Sequence, residues 1–274
     1  MNIFASARVS LLTITCLSLL LISSILPGCS SQSAPYEDKI IMTIFAHPDD
    51  EITVAPILSR YAREGAKIYA VCVTDGRYGQ GFSGLPAGDE LVAVRKEEYN
   101  CATEKLGAEP IWLGYHDQLR LREGYDGHVP LARKLVREVD SLVTAIQPDV
   151  LITWGPDGGS NHMDHRLVGA TVTQVYARKS WEKPGALYFY ASPAQLIDDE
   201  DSQLLRGVDE KYITTQIPYT DEDLENTMQA LYCYESQYQR EQMERRREYL
   251  ENFTRKVYLR PFTGATGMQT DLFE

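Results

Sequence analysis

The chain has 274 residues, of which 43% are hydrophobic and 24% are charged. This composition is typical of a globular protein that buries a sizeable core, and it excludes wholesale disorder. The formal net charge of −12 argues against sequence-independent nucleic-acid binding, because such binding requires lysine and arginine to neutralise phosphates. Five cysteines are too few to form a disulfide framework in a chain of this length.

An uncharged apolar run extends from Leu11 to Leu26. It is shorter than the about 20 residues that a helix needs to cross a bilayer, and it fits the apolar region of a signal peptide. The tetrapeptide that ends it, Leu26-Pro27-Gly28-Cys29, resembles a bacterial lipobox.

This resemblance implies that residues 1–28 are a lipoprotein signal peptide and that Cys29 becomes the lipid-modified N-terminus. An ordinary cleaved signal peptide and an uncleaved N-terminal anchor remain as alternatives, and each of the three exports the chain. Residues 29–38 then form a polar tether, and residues 39–274 form a single domain. We therefore expect a cell-envelope lipoprotein, periplasmic or surface-facing, that is held at a membrane by its lipid.

Buried strands and amphipathic helices alternate through the predicted domain. Strands are predicted over residues 40–46, 67–74, 110–113, 149–154, 186–190 and 212–217, and helices over 52–64, 90–106, 131–146, 165–177 and 221–252, the last of them long or broken. Such alternation indicates βαβ units. The fold class is therefore α/β, with a Rossmann-like, mostly parallel sheet covered by helices on both faces.

Charged loops follow three of the predicted strands. They are His47–Glu51, Asp75–Arg77 and Gly155–His165, and they contain three of the five histidines, namely His47, His162 and His165. Because ligand sites in parallel sheets lie at the carboxyl ends of the strands, these loops are expected to meet at one edge. Imidazole and carboxylate groups are the donors that a catalytic zinc ion uses.

A simpler explanation of the first loop is that its acidic residues only cap the following helix. Two such loops in one α/β pattern favour a metal site instead. The other histidines, His116 and His128, are interpreted as hydrogen-bonded structural residues.

Two motifs carry a family resemblance. Ala46–Glu51 (AHPDDE) together with His162–His165 (HMDH) resembles the PIG-L/LmbE-like deacetylases, which are zinc-dependent enzymes that remove N-acetyl groups, mostly from substrates containing N-acetylglucosamine (GlcNAc). The resemblance runs from about Lys39 to Ala177 and implies an LmbE-like fold. Met163 stands where proline is common, and Arg77 replaces the acidic residue of a loop after the second strand.

The resemblance also implies roles for individual residues. The zinc ligands fall on His47, Asp50 and His165, and the general base falls on Asp49. His162 takes the position of the histidine that polarises or protonates at the acetyl group. Fe²⁺ or Co²⁺ could occupy a similar site.

Three further positions have expected roles. Arg95 falls where the family contacts substrate. Asp164, beside His165, is expected to orient an imidazole from behind. Some members of the family place a tyrosine at the position of Ser160, and a tyrosine of the C-terminal segment could replace it here.

The function expected from these residues is zinc-dependent removal of an N-acetyl group from a GlcNAc-type sugar or glycoconjugate. Two alternatives are a metal-dependent amidase for a non-sugar acyl amide and a non-catalytic, glycan-binding surface lipoprotein. A nucleotide-binding domain is disfavoured, because no G-x-G-x-x-G follows Ala46 and the carboxylates there would repel a pyrophosphate. The oligomeric state is not indicated by the sequence.

Two side-chain groups of the C-terminal third need an explanation. The triplet Arg245-Arg246-Arg247 is predicted to be a solvated helix face, and the tyrosines of residues 232–249 are predicted to pack half-buried, or in one or two cases to line a sugar site. Cys72, Cys101 and Cys233 are expected to be free thiols, although an exported chain could join the last two.

Overall fold

The computed structural model describes residues 34–178, 180–197, 205–263 and 270. The predicted signal peptide and Cys29 lie outside the described residues. Residues 34–38, which were assigned to the tether, form a turn in which the backbone N–H of Tyr36 donates to Glu64 O over 3.1 Å. The Tyr36 ring also packs edge-on against Tyr61, so the folded body begins ahead of residue 39.

Within these residues, seven strands form one sheet, in the order β3-β2-β1-β4-β5-β7-β6. The strands are β1 (Ile40–Phe45), β2 (Lys67–Thr74), β3 (Ala108–Tyr115), β4 (Val150–Trp154), β5 (Ala186–Tyr190), β6 (Thr215–Pro218) and β7 (Lys256–Pro261). The first five pair in parallel, and β7 is antiparallel to both of its neighbours. The prediction of a mostly parallel sheet is confirmed.

Six α-helices cover this sheet in the described part of the chain. They are α1 (Ala55–Arg63), α2 (Asp89–Lys105), α3 (Gly124–Ile146), α4 (Met163–Ala177), α5 (Asp221–Leu231) and α6 (Arg240–Tyr249). One hydrophobic core contains residues of α1, α2 and α5, and a separate core contains residues of α3 and α4. Helices therefore pack on both faces, as predicted. Of the helices described, none is long and apolar enough to cross a membrane.

The strand order places the loops after β1 and β4 side by side. From β1 the chain proceeds to β2 on one side, whereas β4 pairs with β1 on the other side and leads on to β5. This reversal is the topological switch point at which open α/β sheets bind ligands. A Cβ added at Gly169 on α4 would lie 2.3 Å from the carbonyl oxygen of Trp154. Glycine thus lets α4, which carries His165, lie close against the end of β4.

The C-terminal third differs from the prediction in one strand. The helix predicted over 221–252 as long or broken is broken after Leu231 by a turn over residues 232–239, whereas strand β7 was not predicted. In β7 only Val257 and Leu259 are fully buried, which is too short an alternation to indicate a strand. Its pairing with β5 and β6 supplies the stability that the local sequence lacks.

A disulfide joins Cys101 on α2 to Cys233 in this turn, so the expectation of free thiols is wrong for these two residues. They are 132 positions apart, and the contact between α2 and α5 brings them together. Cys72, in contrast, is a buried free thiol in β2, as predicted.

Candidate metal centre and active site

Three side chains from the loops after β1 and β4 direct donor atoms at one point. His47 Nδ1 lies 3.0 Å from His165 Nε2. Asp50 Oδ1 lies 3.3 Å from His165 Nε2, and Asp50 Oδ2 lies 3.6 Å from His47 Nδ1. Tetrahedral coordination with bonds of 2.0–2.1 Å places ligand atoms about 3.3 Å apart. Donor atoms of the three residues therefore lie at about the spacing expected of ligands to one tetrahedral metal ion, which would take a fourth ligand.

The far nitrogens of both imidazoles are hydrogen-bonded, and this fixes which nitrogen carries a lone pair. His47 Nε2 lies 3.2 Å from Asp164 Oδ2 and 3.3 Å from Asp117 Oδ1. His165 Nδ1 lies 2.8 Å from the carbonyl oxygen of Gly158. Because each of these nitrogens donates to oxygen, the lone pairs of His47 Nδ1 and His165 Nε2 face each other and the metal position.

Asp50 is held by three donors on one oxygen. Its Oδ2 accepts from the backbone N–H of Ala46 (3.0 Å), from that of His47 (2.8 Å) and from Trp154 Nε1 (3.1 Å), which leaves Oδ1 directed toward His165. The Trp154 ring also stacks on the His165 ring, with centroids 4.3 Å apart and planes 3° apart. The end of β4 thus orients two of the three donors.

Other combinations of donors exist among the described residues. His47, His162 and His165 offer one ligand atom each within 4.8 Å, and so do His47, Asp117 and Asp164. In the second group the His47 nitrogen involved is the one that donates to the carboxylates. Asp117 and Asp164 therefore orient His47 rather than bind the same ion.

The electrostatics of the cluster suit a cation. Burial disfavours a charged His47, but hydrogen bonds that the charged imidazole donates to Asp117, Asp164 and Asp50 outweigh burial and raise the pKa of His47. Burial also opposes ionisation of Asp50, yet His165 and His47 hold the pKa of this carboxyl well below its usual range. Four carboxylates surround the site and favour a divalent ion there, namely those of Asp49, Asp50, Asp117 and Asp164.

Asp49 lies beside this cluster and has an unusual backbone. Its φ of 110° lies in a region that L residues rarely adopt, which costs on the order of 1–3 kcal/mol and is typical of functional sites. Its N–H donates to Glu51 Oε2 over 3.1 Å, and Glu51 Oε1 accepts from the Tyr234 hydroxyl over 2.5 Å. Burial raises the pKa of Asp49, and it raises that of Glu51 to about 8.

Arg95 lies behind Asp49 and is only 2% exposed. Its Nη2 is 3.2 Å from Asp49 Oδ2 and donates to the carbonyl oxygen of Pro48, and its Nη1 is 3.6 Å from Glu98 Oε2. The structure thus gives Arg95 a positioning role at Asp49. Direct contact with substrate, the role expected from the sequence, stays a prediction.

His162 is the N-cap of α4. Its Nδ1 accepts from the backbone N–H of Asp164 over 3.2 Å, so the neutral ring carries its hydrogen on Nε2. Burial, and then the charges of His47 and His165, lower the pKa of His162. The side chain can therefore donate a hydrogen bond without being protonated, in contrast to the protonated form considered from the sequence.

Sequence reasoning missed two residues of the site. Asp117 lies two residues after the end of β3. The rule that located the other loops would have found it if β3 had not been predicted to end at Leu113. Tyr238 has its hydroxyl 3.2 Å from Asp49 Oδ2, and nothing in its local sequence indicates this contact. Ser160, the position of a family tyrosine, instead contacts His165 Nδ1 at 3.1 Å. His116 and His128 each bond a backbone carbonyl, as expected of structural histidines.

Comparison with known proteins gives one family. Residues 42–176 match the family model PIG-L, described as GlcNAc-PI de-N-acetylase. The 1D-myo-inositol 2-acetamido-2-deoxy-alpha-D-glucopyranoside deacetylase of Mycolicibacterium vanbaalenii is 27% identical over 179 residues, which cover 58% of this chain and 62% of that protein. The chain thus spans less than two thirds of this curated relative.

Two solved structures are similar in fold. The N,N'-diacetylchitobiose deacetylase from Pyrococcus horikoshii has a TM-score of 0.62 at 19% identity, covering 82% of this chain and 84% of that one. The 4-carboxy-2-hydroxymuconate hydratase from Pseudomonas putida KT2440 has a TM-score of 0.60 at 14% identity, covering 85% and 100%. Because a deacetylase and a hydratase share the fold, the fold alone does not define the reaction.

A parallel sheet with helices on both faces, and a His/Asp/His cluster at its switch point, define an LmbE-like α/β protein with a site suited to a divalent metal ion. The chain belongs to the PIG-L family, and the matched segment contains all three residues of that cluster.

Proposed function

We propose that the protein is a metal-dependent hydrolase that removes an N-acetyl group from a GlcNAc-type sugar or glycoconjugate, and that the metal is Zn²⁺. The observation that carries the proposal is the convergence of His47, Asp50 and His165 at 3.0–3.6 Å, with the Asp49 carboxylate held alongside. Family membership and the deacetylase relative support the N-acetylated substrate.

Amide hydrolysis needs an activated water, a polarised carbonyl and a proton for the leaving amine. His47, Asp50 and His165 would hold Zn²⁺, which would supply the first two by lowering the pKa of water and by acting as a Lewis acid. Asp49 accepts the proton of the attacking water and passes it to the amine nitrogen. Arg95 fixes the orientation of the Asp49 carboxylate.

Charge that develops on the acetyl oxygen requires hydrogen-bond donors. His162 offers Nε2–H, and Tyr238 offers a hydroxyl whose single hydrogen is donated to Asp49 in this structure and would turn to the acetyl oxygen during the reaction. We assign to Tyr238 the part that some family members give to a tyrosine at the Ser160 position. Each such donor contributes roughly 3–4 kcal/mol to stabilisation of the transition state.

Two cavities adjoin these groups. One has a volume of about 280 Å³ and is lined by His47, Asp50 and His162. The other has a volume of about 780 Å³, with Asp49 and His165 in its wall, and gives a sugar a route to the site. Trp154, Tyr190 and Tyr249 also line it, and such rings present both apolar faces and polar tips to a sugar.

We also propose that the protein is exported and anchored to a membrane by lipid on Cys29. The N-terminal sequence motivates this proposal, and the disulfide between Cys101 and Cys233 supports it, because disulfides persist in oxidising compartments outside the cytosol. Labelling of producing cells with a radioactive fatty acid tests it. Wild-type protein should incorporate label, and label retained by Cys29→Ala would contradict the anchor.

The test of the activity is acetate release by the full chain, purified in detergent and supplied with Zn²⁺. The panel contains free GlcNAc, chitin oligomers, peptidoglycan fragments and simple N-acetyl amides. We expect acetate from at least one sugar, loss of activity with a chelator, and loss of activity with retained metal in Asp49→Asn. Acetate only from simple amides would support the non-sugar amidase, and metal binding with no acetate from any compound would support the glycan-binding alternative.

A further inference from the structure

The cavity that contains Asp49 and His165 has a cationic wall. Three arginines line it, namely Arg206, Arg245 and Arg246, whereas Asp49 is the one carboxylate among the described residues of its lining. The chain as a whole carries a net charge of −12. A cluster of guanidinium groups in one cavity of an acidic protein concentrates anions there.

Helix α6 divides its arginines between two environments. Arg240 pairs with Glu244 at 2.9 Å, and Arg247 pairs with Glu225 at 2.9 Å and with Glu251 at 3.6 Å. Neither of these two arginines lines the cavity. Their charges are neutralised on the surface.

Arg245 and Arg246 of the same helix are on the cavity side. Within the described part of the chain, no carboxylate lies within 4.0 Å of either guanidinium. The Arg246 guanidinium lies over the face of the Tyr249 ring, 5.6 Å from the ring centroid. Arg245 is exposed and Arg246 is half-buried, as a solvated face predicts, and both also border the cavity. Their planar donor groups match carboxylate or phosphate oxygens.

The start of α6 sets the distance between these arginines and the reacting groups. Tyr238, whose hydroxyl contacts Asp49, lies just before the helix. At a rise of 1.5 Å per residue, Arg245 and Arg246 lie about 10–12 Å further along the axis. An anion bound there would belong to the unit next to the sugar that carries the acetamide, and not to that sugar.

We propose that Arg245 and Arg246 form a subsite for an anionic group, a carboxylate or a phosphate, on the residue adjoining the N-acetylated sugar of the substrate. This inference rests on the proposed deacetylase function and narrows its substrate to acidic glycoconjugates. Arg206 adds a third guanidinium to the same cavity.

The test compares three disaccharides of similar size with the full chain. They are N,N'-diacetylchitobiose, its 6'-phosphate and the carboxylated GlcNAc–N-acetylmuramic acid unit. We expect kcat/KM to be at least about tenfold higher for the acidic compounds, since charge-assisted hydrogen bonds distinguish them. The ratio between the phosphorylated and carboxylated compounds identifies the anion. Equal kcat/KM for all three would overturn the subsite.

Matched variants locate the effect. Arg245→Gln and Arg246→Gln should raise KM for the acidic compounds about tenfold, leave kcat unchanged and leave the neutral compound unaffected. Arg240→Gln removes the same charge from the same helix outside the cavity and serves as the control. Equal losses in Arg240→Gln, or equal losses on neutral and acidic compounds, would contradict the proposal.

A binding measurement separates this inference from the activity. Calorimetry with the same three disaccharides should give tighter binding of the acidic compounds, lost in the double variant Arg245→Gln/Arg246→Gln. This result would support the subsite even if no acetate is released, in which case the proposed deacetylation alone would be wrong. Acetate release without any preference for anions would leave the deacetylase standing and remove the subsite.

Discussion

The Tyr238 hydroxyl donates to Asp49 Oδ2 over 3.2 Å, across 189 positions of sequence. Tyr238 lies outside the segment matched by the PIG-L family, and Asp49 lies within it. The turn that carries Tyr238 is fastened at several points. Ser236 donates through its N–H and its hydroxyl to Glu98, over 2.7 and 2.6 Å, and the disulfide holds Cys233 against α2. The C-terminal third thus completes a site whose metal donors all lie earlier in the chain.

Replacement of Tyr238 by phenylalanine removes the hydroxyl and keeps the ring. We expect kcat to fall about 100-fold, the cost of losing one oxyanion donor, with little change in metal content. Steady-state kinetics and elemental analysis check this. Tyr125→Phe alters a tyrosine that is 76% exposed and should have wild-type kinetics. Unchanged kcat in Tyr238→Phe would remove the proposed role.

Two histidines three positions apart should respond differently to alanine. His165→Ala removes a donor that lies 3.0 Å from His47 Nδ1, so we expect zinc to be lost on dialysis. His162→Ala should retain stoichiometric zinc while kcat falls by about 100-fold. Elemental analysis of the two dialysed variants distinguishes two ligand sets, one of His47, Asp50 and His165 and the other of His47, His162 and His165. Zinc loss in His162→Ala would favour the latter.

Asp117→Asn tests the orientation of His47. The variant keeps the size of the side chain but removes the charge that accepts from His47 Nε2. Loss of such a partner typically weakens metal binding by about 10–100-fold. Competition with a zinc chelator measures the affinity, and Asp126→Asn on the exposed surface of α3 is the control. Equal affinity in both variants would show that Asp117 does not orient the ligand.

The disulfide should stabilise both the fold and the site. Cys101→Ser/Cys233→Ser opens a loop of 132 positions, so we expect a loss of about 2–4 kcal/mol in the free energy of unfolding. Because the turn also carries Tyr238, kcat should fall more than metal content. Denaturant unfolding and kinetics at low temperature measure the two effects. Reductant should lower the stability and kcat of the wild type and leave those of the double variant unchanged. A loss of stability or kcat in the double variant on reduction would show that the reductant does not act through this disulfide.

Local sequence determined the parallel part of the fold and the place of the metal site. Continuous apolar runs such as Ile40–Phe45 specify strands buried on both faces, and polar residues directly after them must fall at one sheet edge. For this reason the loops that contain His47, Asp50 and His165 could be selected before any contact was known. The family resemblance covers the same segment, and it supplied their roles.

Tertiary structure alone decided the rest. The contacts of Tyr238 with Asp49, of Cys233 with Cys101 and of Asp117 with His47 join residues far apart in the chain. The separation of Arg245 and Arg246 from the ion-paired arginines of α6 depends on which side of the helix meets the cavity. The spacing of apolar residues predicts that a helix has a buried side and an exposed side. It does not predict which element the buried side packs against, because that depends on the fold of the whole chain.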